Sequence, residues 1–600
     1  MRPTRSSKPP RRFLFLLILV LALVAAACSG DDDDAGGEDA GGETTTTAAA
    51  DAGSDDGGDA GDDGDTGSDS GDASGAEVSN PGVFVHAADD EPTTLDPAQV
   101  EPGEGGETVI LQVYDRLLEI GMEGPDPIPG LATEVPSISN GLISEDGLTY
   151  TFQIREGVTF HDGSPLTADD VLFSWDRVMT MDLPDGAASV LSDTVASMRV
   201  VDESTFEVTL QEPNAAFLNA VVPAMVSSIV SQEAVEANGG VVPGEPNEFL
   251  SGNPVGTGPY SFVAWNRGEN LQFEVYDGYW GTPANLDLRI EIGASPDIRV
   301  LGLRAGDFDT IETDPSFIGD IEGAEGVTIF AEGLTVEPIH IAFNMRFDPA
   351  DLPDADNISA DFFQDPRVRQ AFNYAFDYEA FLNGALGGFG DFNPHYIPQG
   401  IFGYDPNAPV YNTQDLARAE ELFREAGVWD TGFSISVVTE EANLFEVAAL
   451  VLKDSIDQLG NPNLSITVAS VAEAVFDEAH ASDPVPYAMW VKNADPFADP
   501  HAYVDSYTHP DGEWGVIHGF RDAYVDPDAV ASLIDQAKVE LDPAVRAALY
   551  SELQALLFDD PMWIIAAQEG VVAARRDWVQ GFVSNPLWPR PSLKFALMDK

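Results

Sequence analysis

Three histidines, His501, His509 and His518, lie in one C-terminal segment and make the best case for metal chemistry. Metal ligation needs tighter local spacing or identifiable partners, and the 8 histidines of the 600-residue chain are otherwise scattered. No metal site is assigned. Hydrolytic chemistry has less support. The sequence holds no GxSxG elbow, no HExxH helix and no thiol outside the N-terminal segment, although 103 acidic residues could conceal a carboxylate pair. The GTGPY run from Gly256 to Tyr260 suggests a phosphate cradle, but it lacks the Gly-Lys-Ser/Thr ending of a P-loop and reads as a tight entry into a strand. These residue types point away from catalysis, and no cofactor is expected.

The chain opens with Arg2, Arg5, Lys8, Arg11 and Arg12, then an apolar run from Phe13 to Ala27, then Cys28. Charge, short apolar core and small residues in that order predict an export signal over residues 1–27. An apolar run of about 15 residues is too short to cross a bilayer, which takes roughly 20. Cys28 is the sole cysteine, so no internal disulfide is possible. Its AAAC context resembles the lipobox of bacterial lipoproteins. That resemblance implies a lipid on Cys28 and an anchor in the outer face of the cell membrane. The Arg11-Arg12 pair leaves both general and twin-arginine export open.

Residues 28–80 are almost entirely Gly, Ala, Ser, Thr, Asp and Glu. Such a segment buries too little to offset its ordering entropy, so it is expected to be a disordered tether spanning roughly 40 Å or more. The formal charge of the whole chain is -75, and the tether's acids explain only part of it. Nucleic-acid phosphates would be repelled, which excludes that partner class.

From about residue 81 the chain alternates strand-like and helix-like stretches over more length than one core usually serves. Leu148, Tyr150, Phe152 and Ile154 alternate with polar residues, as a half-buried strand requires, and a second short strand, Val158 to Phe160, precedes a turn at His161 to Gly163. Thr167 is the expected N-cap of a helix with Asp169 and Asp170 in its first turn and Val171, Trp175 and Val178 on one face. Asp365-Pro366 and Asp542-Pro543 each predict a helix start, the latter with Val545, Leu549 and Leu556 behind it. Another helix should run from Thr413 to Ala426 and stop at Gly427.

These segments carry a resemblance. PTTLDPAQ (Pro92 to Gln99), LTYTFQIREGVTFHDGSPLTADDVLFSWDRV (Leu148 to Val178), NPVGTGPYSFVAWNRGENL (Asn253 to Leu271) and DPRVRQAFNYAFDYEA (Asp365 to Ala380) occur in order and resemble the family 5 extracellular solute-binding proteins. The resemblance implies an α/β, two-lobed periplasmic-binding-protein fold with an extra subdomain, its lobes hinged around a central ligand cleft. It places the first lobe at 81–125, 241–335 and 563–600, an inserted subdomain at 126–240, and the second lobe at 336–562. The implied role is capture of a small ligand, foremost a peptide, for an ABC permease and its ATPase, by a monomer without enzymatic activity. Nickel chelates, oligosaccharides, opines and a stand-alone sensor role are the alternatives.

Peptide-binding members share a second-lobe segment that corresponds to Met489–Tyr507. There the resemblance, with a shift in spacing, gives Asp495 the ligand's ammonium group, while a turn before Pro496 is the competing role. Trp490 either walls the cleft or fills the core. Similar loops to Glu91–Asp96 face the cleft in the family, which makes Glu91 and Thr94 ligand candidates.

Overall fold

The computed structural model describes residues 78–600, except 101–104, 123, 184–186, 314–316, 331–332, 354–355, 392–394, 441–443, 495 and 589–592. The expected signal, Cys28 and nearly all of the tether lie outside the described residues, as does Asp495. No helix among the described residues is long and apolar enough to cross a membrane.

Alternating apolar residues build a first sheet of seven strands. In spatial order they are Val327–Phe330, Ala573–Arg576, Thr310–Ile311, Val83–Ala87, Asp287–Glu291, Asn270–Val275 and Tyr260–Asn266. Val83–Ala87 runs parallel to both its neighbours, and the other pairings are antiparallel. Phe84, Phe273 and Leu288 from this sheet pack on Val109, Ile110 and Val113 of the helix Gly106–Val113.

A three-stranded antiparallel sheet, Thr149–Gln153, Thr205–Leu210 and Val195–Asp202 in that order, lies within the segment expected as an inserted subdomain. Tyr150, Phe152 and Ile154 are buried, as their alternation requires. Thr167 and Asp170 close a capping box on the helix Ala168–Met181, and Val171, Trp175 and Val178 face the core. The strand expected over Val158–Phe160 is reduced to a single bridge, Thr159 to Pro165, because the turn tightens at once through Gly163 at φ +87°.

Two of the recognised sequence blocks lock this subdomain to the first lobe. Asp96 of the PTTLDPAQ block and Arg177 of the longest block form an ion pair buried to within 1% of full coverage. His161 binds the GTGPY turn: its Nε2 lies 3.0 Å from the Gly258 carbonyl oxygen, and its backbone N–H donates to the Gly256 carbonyl. The turn passes so close to the end of the Gly106–Val113 helix that a Cβ on Gly258 would lie 2.6 Å from the Val113 carbonyl carbon. These glycines serve close backbone approach.

The second lobe has a six-stranded sheet in the order Gly390–Asp391, Trp563–Glu569, Ile339–Phe343, Met489–Asn493, Phe433–Glu440 and Leu464–Val471. Its helices include Pro366–Ala375, capped by Asp365, and Leu416–Glu425, followed by Gly427 in the left-handed region at φ +76°.

Two expectations need correction here. Residues 563–569, expected in the first lobe, pair with Ile339–Phe343 in the second sheet, so the chain returns only after Glu569. The helix Pro543–Asp559 is also rotated from the expected face. Val545 and Leu556 are exposed and Leu549 packs half-buried against the core, whereas Arg546, Tyr550, Leu553 and Leu557 are buried. A buried ion pair made by Arg546 sets that rotation, and hydropathy alone does not register it.

Candidate functional site

The chain passes between the two large sheets at two places, after Phe330 and between Glu569 and Ala573. These segments run side by side. Leu334 bridges Gly570, the Thr335 N–H donates to the Glu569 carbonyl at 2.8 Å, and the Val571 N–H donates to the Gly333 carbonyl at 3.2 Å. A narrow ribbon is the covalent link between the lobes. That geometry lets one lobe swing on the other by small torsional changes in a few residues.

A cavity of about 220 Å³, partly open to solvent, lies where the lobes face each other. Stretches from four regions of the chain wall it. Glu107 and Ile120 come from the first lobe, Val190 and Asn219 to Val226 from the inserted subdomain, Pro496 to Ala498 from the second lobe, and Leu587 with Trp588 from the C-terminal return. The cavity is thus assembled only when both lobes are together. Its walls are chiefly apolar.

The second-lobe wall is held at both ends. Ahead of the helix Pro500–Thr508, Asp499 caps the first turn by accepting from the His501 N–H at 2.8 Å. The same carboxylate receives a bidentate pair from Arg546 at 2.6 and 2.8 Å. At the other end, the Tyr503 hydroxyl accepts from the Phe497 N–H at 2.9 Å and donates to the Val336 carbonyl at 2.7 Å. Val336 adjoins the hinge ribbon, so the wall and the hinge share one side chain. On the opposite wall, the Trp588 indole N–H donates to the Ile120 carbonyl at 3.1 Å and leaves its ring to the cavity.

The residues singled out in the sequence are dispersed. Asp495 is outside the described residues, but its neighbours Pro496 and Phe497 line the cavity. Trp490 is fully buried in the second lobe's core, edge-on to His480 and His518 with ring centroids 4.8 and 4.5 Å away. Of its two readings, the core is where the structure places it.

Glu91 and Thr94 are not among the cavity's lining residues. The Glu91 carboxylate accepts from the Trp265 indole at 3.0 Å and from the Gly268 N–H at 3.2 Å, pinning a hairpin. The Thr94 hydroxyl accepts from the Asp96 N–H at 3.2 Å in a local turn. His509 lies 3.7 Å from Asp535, while His518 is buried among aromatic rings. Among the described residues no three His, Cys, Asp or Glu side chains come together as a metal site.

Sequence reading missed Glu107, Asn219, Tyr503 and Trp588. Glu107, Asn219 and Trp588 sit in stretches whose pattern is that of ordinary core or turn, whereas Tyr503 lies within the Met489–Tyr507 segment that the resemblance marks.

Comparison with known proteins follows the same lines. The family model for bacterial extracellular solute-binding proteins, family 5, matches residues 126–515. The dipeptide-binding protein of Escherichia coli is 26% identical over 534 residues, covering 84% of this chain and 92% of that protein. Among solved structures, the periplasmic binding protein DppA of Helicobacter pylori, in complex with the peptide STSA, superposes with a TM-score of 0.68. It has 24% identity and covers 86% of this chain and 98% of that one. NikZ of Campylobacter jejuni, in complex with Ni(L-His), gives a TM-score of 0.68 at 20% identity over 86% of this chain and 99% of that one. At these identities the two structures speak to the fold.

Proposed function

Because the chain belongs to the family 5 bacterial extracellular solute-binding proteins, we propose that it is the extracytoplasmic solute-binding component of an ABC importer, with a short peptide as its ligand. The observation that carries this reading is the cavity walled by both lobes across a two-segment hinge. A ligand that touches both walls favours the closed arrangement by its differential affinity for it. The permease can then read closure without reading the ligand. The protein captures and releases; it performs no reaction on the solute.

Asp495, one residue before the cavity wall, is proposed as the partner of the peptide's ammonium group. A charge-assisted hydrogen bond there contributes about 1.5–3 kcal/mol. We further propose a monomer held at the membrane's outer face by a lipid on Cys28, with residues 29–80 as spacer.

Mass spectrometry of the small molecule that co-purifies with the mature protein tests the ligand assignment, since a closed cavity retains its occupant. A peptide is the expected mass. A metal chelate, an opine or a sugar in its place refutes the peptide reading while leaving the binding role intact. Loss of that solute's uptake on deletion of the coding region is the expected cellular result, and unchanged uptake counts against transport. Exchange of Cys28 for Ala should move the protein from the membrane fraction to the medium or periplasm.

A further inference from the structure

The walls of the interlobe cavity offer a ligand little polar recognition. Glu107 is the one charged side chain among the described lining residues, and no Lys, Arg or His is among them. Several of the wall's hydrogen-bonding groups are already engaged. The Trp588 indole is held by the Ile120 carbonyl, and the Phe497 N–H by the Tyr503 hydroxyl.

Basic groups on the flanking elements are also engaged. Lys594 sits 3.3 Å from Glu119, which also binds Arg116, and Arg546 is paired with Asp499. A side-chain carboxylate seated against these described walls would lose its hydration without gaining a cation, and such transfers are strongly unfavourable, whereas a peptide's terminal carboxylate can stay at the solvent-open side of the cavity. A neutral polar side chain left without a partner costs about 1–3 kcal/mol.

A second, independent observation acts at longer range. The chain carries 103 acidic against 28 basic residues. A field of that sign repels anionic solutes before they reach the cleft and steers cationic ones toward it.

We propose that the cavity selects short peptides with apolar side chains and excludes those with acidic side chains. This inference rests on the peptide reading above and deepens it: the described lining, apolar and without Lys, Arg or His, sets the side-chain selectivity. Bulky aliphatic or aromatic side chains would displace water from the walls formed by Val190, Val226, Phe497, Leu587 and Trp588, at about 25 cal/mol per Å² of apolar surface removed from water.

The test is calorimetry on the mature full chain, stripped of bound ligand by unfolding and refolding. The probes are trileucine, its C-terminal amide, triserine and triglutamate. Trileucine and its amide are expected to bind at least tenfold more tightly than triserine, with triglutamate showing no binding. Asn219→Lys, which adds a cation to the wall, should bring triglutamate binding into the measurable range.

Triglutamate or triserine binding the native chain within threefold of trileucine overturns the selectivity and leaves the peptide reading standing. Failure of all four probes, with the refolded chain giving native circular dichroism, overturns both. The native-chain comparison decides the matter even if the Asn219 variant does not fold.

Discussion

Replacing Asp499 with Ala should destabilise the second lobe far more than a surface exchange would. Its carboxylate is 1% exposed and Arg546 is 7% exposed. The guanidinium cannot escape to water, because its Nε donates to the Ala537 carbonyl at 2.9 Å and one terminal nitrogen donates to the Tyr550 hydroxyl at 3.1 Å. Removing the carboxylate therefore strands a buried cation, which costs about 3–5 kcal/mol. Loss of the cap on the Pro500–Thr508 helix adds about 1 kcal/mol.

For a lobe of this size, at about 2–4 °C per kcal/mol, the expected fall in Tm is about 8–24 °C. Scanning calorimetry, following the transition of the second lobe, measures it. A companion variant separates charge from packing. Asp499→Leu combined with Arg546→Met removes both charges, and should recover most of the loss because apolar replacement of a buried pair is often neutral or stabilising. A fall below 2 °C for Asp499→Ala, or a double variant as unstable as the single one, refutes the argument that Asp499 holds this wall by charge.

Asp495→Ala is expected to weaken binding of the co-purified peptide at least tenfold, and unchanged affinity by calorimetry removes Asp495 from the site. Across the lobes, Lys538 pairs with Glu212 at 2.6 Å, and the Ala215 N–H donates to the Lys538 carbonyl at 3.0 Å. The ion pair is half exposed and contributes up to about 1 kcal/mol, so Lys538→Ala should raise the open fraction up to about fivefold, read as a larger radius of gyration by small-angle scattering.

Burial pushes the His340 imidazole down to about 3, with Lys492 adding to the effect, and holds His518 well below its ordinary value. Because the folded values lie below the unfolded one near 6.5, this contribution to stability is complete above pH 6.5 and is lost as pH falls toward 3. Tm should therefore drop between pH 6.5 and 5, before the carboxylates titrate, and His340→Phe should flatten that slope. A Tm independent of pH across this window contradicts the assignment of neutral buried rings.

Local pattern made much of the fold legible. Thr167, Asp365 and Asp542 each cap a helix as read, because a cap needs only its own side chain and the next few backbone N–H groups. Tyr150, Phe152 and Ile154 are buried because a strand's two-residue period assigns faces without reference to partners. The rotation of the Pro543–Asp559 helix was not legible. Arg546 and Gln554, polar residues outside the expected apolar face, are both buried, and the partner that buries Arg546 lies 47 residues away.

The candidate site follows the same division. Sequence by itself determined the order of the capped and alternating segments, the family resemblance and the excess of negative charge. Tertiary structure alone decided that Glu107, Asn219, Phe497 and Trp588 share one cavity, that Trp490 belongs to the core, and that the strand Trp563–Glu569 lies on the second lobe's side of the hinge. The physical reason is that caps and strand alternation are settled over a few residues by local hydrogen bonding and side-chain direction. A cleft between lobes is settled by which distant apolar faces exclude water from each other, and no short stretch of sequence carries that information.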